Sequence, residues 1–145
     1  LMCRRIVGLR KTHHIFDSFE GLSKPGSADG SHWTEGGMAC DESVVRRNLR
    51  EFDFVTYRKG WIPERLHEVS NERFCFIHLD VDLFQPTFDA VAFFYERTSP
   101  GGIIVCDDYG FITCPGAKAA MDEFFSGKPE KIVCLSTGQA VVFKK

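Results

Sequence analysis

Short apolar runs alternate with segments of helical periodicity along most of the chain, and this alternation constrains the fold more than any other feature. The run at 74–79 is almost continuously apolar, as in a strand that is covered on both faces. Helical spacing follows Asp41, Pro63, Pro86 and Pro115. The order predicts an α/β protein with a doubly wound, Rossmann-like and mostly parallel sheet. Its first four strands are expected at 12–16, 53–57, 74–79 and 103–106.

The two last predicted strands, 131–135 and 139–143, are joined by three residues, which permits only an antiparallel hairpin. We therefore expect an antiparallel strand at the C-terminal end of the sheet. Residues 22–38 are rich in glycine, serine, proline and aspartate without any periodicity, and they predict a long loop. The turn Ser99–Gly102 is expected to end the helix that precedes the fourth strand.

Composition narrows the class of protein. The chain has 145 residues, of which 43% are hydrophobic and 13% aromatic, so one globular domain with a real core is expected over 1–145. A net charge of -2 gives no broad field for nucleic acid or an anionic membrane, and favours small-molecule partners. No apolar run approaches the roughly 20 residues that span a bilayer, and no secretory signal pattern is visible, which predicts a cytoplasmic protein.

The six cysteines include no C-x-x-C pair, which argues against a zinc site. Cys75, Cys106 and Cys134 lie in apolar strand patterns, where a thiol behaves as a small buried hydrophobe. We expect all of the cysteines to be reduced and structural. Cys114 is the least certain, because it lies in a loop beside acidic residues.

Carboxylates follow two of the predicted strands. Asp80 and Asp82 come at the end of one strand, and Asp107 with Asp108 follow the next strand. Parallel α/β sheets bind their ligands beyond the carboxyl ends of the strands, and gathered carboxylates suit a hard divalent cation. The alternative is that Asp80 caps a helix and the Asp107–Asp108 pair only turns the chain. Asp82 is expected to cap or support the site more than to bind the metal.

Several stretches resemble the macrocin O-methyltransferase family. They are FDSFEGL (16–22), KGWIPERL (59–66), HLDVDLFQPT (78–87), SPGGIIVCDDYG (99–110) and CPGAKAAMDEFF (114–125). The resemblance implies a class I methyltransferase that depends on S-adenosyl-L-methionine and Mg²⁺. Many members of the family methylate sugar hydroxyls of antibiotics or polysaccharides, so a small, sugar-like acceptor is expected.

The resemblance also implies residue roles. It makes Asp80, Asp107 and Asp108 the metal ligands, and it makes Asp17, with the adjacent Ser18, the site for the cofactor ribose. A carboxylate accepts two hydroxyl groups well, although Asp17 could instead open an Asx turn. Gly60 would let the backbone approach the cofactor closely, and Trp61 would form an aromatic wall for the adenine. Trp61 could equally be an ordinary core residue. These four form the cofactor set: Asp17, Ser18, Gly60, Trp61.

Methylation of a hydroxyl needs a base to take its proton. The candidate is His32, in the long loop with Asp29 and Trp33, where loop closure could bring it over a substrate. The alternative is a solvated loop histidine. His78, inside a strand pattern, is expected to be a core histidine without a catalytic role.

One departure from the family lies at the N-terminus. Members begin with a strand and a glycine-rich G-x-G-x-G loop, whereas residues 1–7 look like the end of the helix that would follow them, with Gly8 as its cap. In the family that strand lies between those at 12–16 and 74–79. We therefore expect a partial domain whose own cofactor binding is weak or absent unless that strand is supplied, and whose unpaired strand edges favour a homo-oligomer.

Other functions fit less well. A haloacid-dehalogenase-like phosphatase would need a lysine between Asp82 and Asp107, and the chain has none there. A metal-dependent glycosyltransferase would leave Asp17, Asp107 and Asp108 without a role. A more serious alternative is an inactive scaffold that keeps the acidic edge but not the cofactor loop.

Overall fold

Strands β1 to β6 form two sheets. The computed structural model describes residues 11–145. β1 (His13–Asp17) pairs in parallel with β2 (Val55–Lys59). The second sheet has the order β3–β4–β6–β5, from β3 (Phe74–Leu79), β4 (Thr98–Cys106), β5 (Val133–Cys134) and β6 (Ala140–Phe143). β3 and β4 are parallel, while β6 runs antiparallel to both β4 and β5, as the sequence predicts.

Within residues 11–145, three α-helices connect the strands: α1 (Glu42–Asn48), α2 (Phe84–Tyr95) and α3 (Pro115–Phe125). Asp41 caps α1, where its Oδ1 accepts a hydrogen bond of 2.7 Å from the Ser43 N–H. Single 3-10 turns lie at Ser27–Asp29 and Leu66–Val69. In the described part of the chain, no helix is both long and apolar enough to cross a membrane.

Helices α2 and α3 cover one face of the four-stranded sheet. Alternate residues of the strands point into this core, because side chains alternate between the two faces of a strand. The strand residues of the core are buried; they are Ile77, Leu79, Ile104, Cys106, Ala140 and Val142. Aromatic side chains fill the contact between the two helices, with Phe124 packed against both Phe88 and Tyr95. The core therefore holds β3 and β4 in a fixed position.

The opposite face of the same sheet is largely open. Phe76 and Phe143 are 54% and 56% exposed, and Val133 is 46% exposed. Phe76 pairs with Ile103, which pairs with Phe143, so these three side chains form one row across the sheet. We call Phe76, Ile103, Val133 and Phe143 the open face.

No backbone pairing joins β1 to β3 within residues 11–145. The two strands instead face each other across a cavity of about 310 Å³, which we call the β1–β3 groove. Phe94 of α2 lines the groove and makes an edge contact with Phe16 of β1, with ring centroids 5.8 Å apart. The two sheets thus lie side by side without a shared backbone ladder in this part of the chain, and an ion pair of 3.0 Å between His14 of β1 and Glu72, just before β3, adds to the packing.

Some details differ from the sequence predictions. β4 begins at Thr98, so the expected Ser99–Gly102 turn is part of a nine-residue strand. β5 has only two residues, where five were expected. Cys106 is buried as predicted, but the expected burial of Cys75 and Cys134 is wrong, since both are exposed, Cys134 on the edge strand β5. The expectations for 1–7 and for Gly8 lie outside the described residues.

Candidate functional site

The carboxyl ends of β1 to β4 meet at one edge of the molecule. Asp17 pairs with Lys59 at the ends of β1 and β2, and the Gly60 N–H donates to the Asp17 carbonyl. The Asp107 N–H likewise donates to the Leu79 carbonyl, at 2.8 Å, where β3 and β4 end. The parallel arrangement thereby gathers the polar residues that follow each strand, as the sequence predicts.

Three carboxylates converge at this edge. Asp80, Asp107 and Asp108 each offer one oxygen, and these atoms lie within 4.8 Å of one another. Asp108 is only 5% exposed, and its Oδ2 accepts a hydrogen bond of 3.0 Å from the Asp82 N–H. The backbone of Asp82 has a φ of 58°, and this turn directs its N–H toward Asp108. The structure thus brings together the three residues predicted as ligands.

Without a cation, burial and mutual repulsion disfavour the ionised form of these carboxylates. Burial raises the pKa of Asp108 to about 6, and the charges of Asp82, Asp80 and Asp107 add to this effect. Burial and the neighbouring Asp107 also raise the pKa of Asp80. A bound divalent cation would reverse both effects, and three hard oxygen donors fit Mg²⁺ while leaving coordination positions free.

A second overlapping group is formed by Asp82, Asp108 and Cys114. The Cys114 thiol lies 3.6 Å from Asp82 Oδ1 and 3.9 Å from Asp108 Oδ1, and it is buried. Burial raises the pKa of this thiol, so it donates to the carboxylates as a neutral group. Cys114 therefore supports the acidic edge, a contact that its place in the sequence only suggested.

His78 and Gln139 hold one of the carboxylates in place. His78 Nε2 lies 3.3 Å from Asp107 Oδ1, and the Gln139 side-chain amide donates to the same oxygen at 3.1 Å. The expectation of a core histidine is wrong, because His78 lies on the face of β3 that the helices leave open and its side chain is 46% exposed. Side chains alternate along a strand, so His78 lies on the same face of β3 as Asp80, and this pattern could have predicted its place beside the carboxylates. The contact of Gln139 with Asp107 depends on the β4–β6 register, which the sequence does not show.

A cavity of about 220 Å³ lies next to the acidic edge. All four residues of the predicted cofactor set line it, together with Asp80 and Asp82; they are Asp17, Ser18, Gly60 and Trp61. Trp61 is half-buried and forms part of the wall. A Cβ at Gly60 would lie 2.6 Å from the Arg65 side chain, and its φ is 150°, so glycine is needed there.

Asp17 and Ser18 also shape the loop that borders this cavity. Asp17 Oδ1 accepts a hydrogen bond of 2.6 Å from the Phe19 N–H, which is the Asx turn considered above. The Ser18 hydroxyl donates to the Gly21 carbonyl at 2.9 Å and accepts from the Glu20 N–H. The Asx turn occupies one Asp17 oxygen, and the second can accept from a ligand, whereas both hydrogen-bonding roles of Ser18 serve the loop.

His32 lies in the long loop, as predicted, and is exposed. Its ring makes an edge contact with Trp33, with centroids 4.7 Å apart. In the described part of the chain, His32 does not line the 220 Å³ cavity next to Asp80 and Asp82. Burial and the charge of Asp80 raise the pKa of Asp82, and the His32 side chain acts in the opposite direction.

Asp29 fixes this loop to the rest of the molecule. It is 3% exposed, its Oδ1 accepts from the Phe84 N–H at 2.6 Å, and its Oδ2 accepts from the Gly26 N–H at 2.7 Å. Phe84 is the first residue of α2, so Asp29 caps that helix from 55 residues away. Gly116 leaves the space, because a Cβ there would overlap Asp29 Oδ1. Sequence reasoning did not predict this contact.

Comparisons with known proteins agree with this architecture. The family model described as "Macrocin-O-methyltransferase (TylF)" matches residues 5–132. The solved O-methyltransferase NovP superimposes with a TM-score of 0.82 at 24% identity, covering 98% of this chain and 64% of that chain. Calicheamicin methyltransferase CalS11 gives a TM-score of 0.78 at 19% identity, covering 92% and 60%. These structures support the Rossmann-like α/β fold.

Among curated proteins, the chain is 31% identical over 126 residues to demethyldecarbamoylnovobiocin O-methyltransferase of Streptomyces niveus. That match covers 79% of this chain and 47% of the relative. This chain is also 26% identical over 129 residues to mycinamicin III 3''-O-methyltransferase of Micromonospora griseorubida. The second match covers 79% of this chain and 49% of that relative. The chain thus spans about half the length of the curated relatives that it matches. It belongs to the macrocin O-methyltransferase family.

Proposed function

We propose that the protein transfers a methyl group from S-adenosyl-L-methionine to a hydroxyl of a sugar or similar small molecule, with Mg²⁺ as a second cofactor. The observation that carries this proposal is the convergence of Asp80, Asp107 and Asp108 within 4.8 Å, beside a cavity that Asp17 and Trp61 also line. The relatives named above act, by their names, on demethyldecarbamoylnovobiocin and on mycinamicin III. Three hard oxygen donors next to a cavity lined by Asp17 and Trp61 suit this chemistry.

The positions of the residues in the structure support a role for each of them. Asp80, Asp107 and Asp108 would hold Mg²⁺, which when bound lowers the pKa of a coordinated hydroxyl. Asp17 would accept hydrogen bonds from the cofactor ribose through its second oxygen, and Trp61 would pack against the adenine. His78 and Gln139 keep Asp107 oriented toward the other two carboxylates.

His32 is the proposed proton acceptor. It lies in the loop that Asp29 ties to α2, next to Trp33 and near Asp82. From there, a small movement of the loop would bring the imidazole over a substrate held at the acidic edge. Asp29 would set the position from which this movement starts.

The test combines methyl transfer with metal binding. Labelled S-adenosyl-L-methionine is incubated with the protein and demethyldecarbamoylnovobiocin, with Mg²⁺ or with EDTA, and Mg²⁺ binding is measured separately by calorimetry. We expect the double variant Asp80→Asn/Asp107→Asn to lose at least about 10- to 100-fold in both metal affinity and methyl transfer. Asp122→Asn is the matched control, since Asp122 pairs with Lys118 on α3.

Two results would contradict the proposal. Methyl transfer that is equal in Mg²⁺ and EDTA would exclude the metal role of the acidic edge. Metal binding without any methyl transfer would instead support the alternative of an inactive scaffold.

A further inference from the structure

We propose that Cys114 is a positioning residue that connects the loop of residues 22–37 to Asp108 at the acidic edge. Through this thiol, Mg²⁺ binding at the acidic edge and the seating of the loop on α3 would strengthen each other. This coupling rests on the proposed function in one respect, namely that the acidic edge binds Mg²⁺. It requires neither a methyl donor nor an acceptor.

The loop is closed into one unit where its two ends meet. The Leu22 N–H donates to the Gly37 carbonyl and the Gly36 N–H donates to the Leu22 carbonyl, each at 2.8 Å. Gly21 permits this close approach, because a Cβ there would overlap the carbonyl oxygens of Gly36 and Gly37. A compact loop whose ends are joined moves as a body, so a contact at one of its residues constrains the others.

Two contacts seat this loop on the first turn of α3. The Asp29 carboxylate lies against Gly116, where a Cβ would overlap its Oδ1. A Cβ at Gly30 would lie only 3.4 Å from Pro115 Cγ, so this part of the loop also lies against α3. The residue that precedes Pro115 is Cys114, which places its thiol directly beside the seated loop.

Trp33 extends this contact to the thiol. Its indole is partly buried against the core cluster that includes Cys114. Nε1 is buried and, in the described part of the chain, has no partner of ordinary hydrogen-bond geometry. Burial raises the pKa of the Cys114 thiol, and hydrogen bonding from Thr113 and Trp33 opposes this effect. The sulfur is thus the acceptor beside the indole N–H, and a thiol sulfur is a weak acceptor.

The same thiol contacts two carboxylates of the acidic edge. Its Sγ lies 3.6 Å from Asp82 Oδ1 and 3.9 Å from Asp108 Oδ1. The other oxygen of Asp108 accepts a hydrogen bond of 3.0 Å from the Asp82 N–H. A thiol has a single proton to donate, so it serves either Asp82 or Asp108.

This choice of acceptor connects the metal ligand to the loop. Asp108 accepts less strongly once its charge is shared with a cation, so the thiol would then donate to Asp82 alone. A thiol fixed in one direction presents its sulfur to the Trp33 N–H in one direction, which holds the loop in place. His32, the proposed proton acceptor, is in ring contact with Trp33, so seating the loop would also set its position.

The coupling must act in both directions. If metal binding fixes the loop, the seated loop strengthens metal binding by the same factor. Residues that orient metal ligands typically change metal affinity by about 10- to 100-fold when they are removed. Coupling through one contact along such a path is weaker, about 2- to 30-fold.

The experiment measures Mg²⁺ affinity by calorimetry and the indole N–H signal of Trp33 by NMR. The chain has one other tryptophan, Trp61, and the variant Trp61→Phe identifies its signal. We expect Mg²⁺ to shift the Trp33 signal in the wild-type protein. The shift should be absent in Cys114→Ala, because that variant has no thiol to connect the metal ligand with the indole.

Three substitutions test the path itself. Cys114→Ala should weaken Mg²⁺ binding about tenfold, and Cys114→Ser, which keeps a donor, should recover part of that loss. Trp33→Phe keeps an aromatic ring without the N–H and should weaken Mg²⁺ binding about threefold. Added to Cys114→Ala, Trp33→Phe should have no further effect, because both residues act through one contact.

Val69→Ala is the control for lost packing. Val69 is fully buried and precedes β3, at the end of that strand away from the acidic edge. The substitution should lower the free energy of unfolding without changing Mg²⁺ affinity. Urea unfolding of every variant separates a loss of affinity from a loss of fold.

Four results would overturn the coupling. They are wild-type Mg²⁺ affinity in Cys114→Ala, a Trp33 signal that Mg²⁺ leaves unchanged, additive effects of the two substitutions, and equal affinities of Cys114→Ser and Cys114→Ala. In each of them the wild-type protein still binds Mg²⁺, so the proposed function is not contradicted. Absence of Mg²⁺ binding by the wild-type protein would contradict both.

Discussion

Asp29 illustrates how one residue controls the position of a loop. Its carboxylate accepts two backbone N–H groups, one from its own loop and one from the start of α2, and it is almost fully buried. The N-cap residue of α2, Leu83, has no side chain that could cap the helix. Asp29 therefore supplies the negative charge that a helix N-terminus favours.

The variant Asp29→Ala should lower the free energy of unfolding by about 1–3 kcal/mol, because it removes the shared acceptor of the Gly26 and Phe84 N–H groups. It should also release the loop, which a glutamate-specific protease would then cut faster after the exposed Glu35. Urea denaturation and a proteolysis time course measure the two effects. Glu123→Ala, at an exposed position of α3, should change neither.

The acidic edge shows which residues can be read from sequence. Asp80, Asp107 and Asp108 follow strands whose periodicity is clear, so their convergence could be predicted before any geometry was known. Gln139 and Asp29 could not be predicted. Their contacts depend on the β4–β6 register and on the path of a long loop, and neither leaves a periodic pattern in the sequence.

At the scale of elements, periodicity predicted the order of helices and strands but not all of their boundaries. The start of β4 was missed, because Pro100, Gly101 and Gly102 are typical turn residues. Tertiary pairing overrides that preference: Thr98 pairs with Phe74, and a register shift separates this pair from Phe76 and Ile103. The Gly101 N–H also donates to the Lys144 carbonyl beyond β6.

Gly102 makes this irregular stretch possible, which gives a prediction for β4. A Cβ at Gly102 would lie 2.6 Å from Thr98 Cγ2 and 2.8 Å from the Ser99 carbonyl oxygen. Gly102→Ala should therefore lower the free energy of unfolding by about 1–3 kcal/mol through overpacking. Gly26→Ala is the matched control, since its nearest contact would be an ordinary 3.6 Å, and it should stay within about 0.5 kcal/mol of the wild type. Denaturant unfolding distinguishes them, and equal effects would contradict the role of Gly102.

At the scale of the whole molecule, two buried carboxylates with opposite pKa shifts should shape the pH dependence of stability. Burial and neighbouring carboxylates raise the pKa of Asp108 from 3.8 to about 6. Burial alone would also raise the pKa of Glu130, but hydrogen bonds from the Lys145 N–H, the Tyr95 hydroxyl and the Lys144 ammonium lower it from 4.5 to about 2.

The signs of these two effects differ. Folded Asp108 binds a proton more tightly than unfolded Asp108, so the free energy of unfolding should fall as pH rises from about 4 through about 6. Glu130 contributes stability above about 4.5, which should be lost as pH falls toward about 2. Urea unfolding in EDTA should therefore show a maximum between pH 4 and 5.

Two variants should show which carboxylate causes each decrease in the free energy of unfolding, the one above pH 4 and the one below pH 4.5. Asp108→Asn should flatten the decrease between pH 4 and 6, and Glu130→Gln should flatten the loss below pH 4.5. If a cation binds the acidic edge, added Mg²⁺ should also remove the decrease above pH 4. A profile in which Asp108→Asn keeps the decrease would show that other groups cause it.

The contact between Asp29 and Gly116 also has an evolutionary consequence. The two positions are 87 residues apart in the sequence, yet any side chain at 116 would occupy the place of the carboxylate. Selection should therefore act on them as a pair. Among homologous sequences, aspartate at 29 should occur with glycine at 116, and lineages that have gained a larger residue at 116 should have lost the aspartate and acquired another way to begin α2.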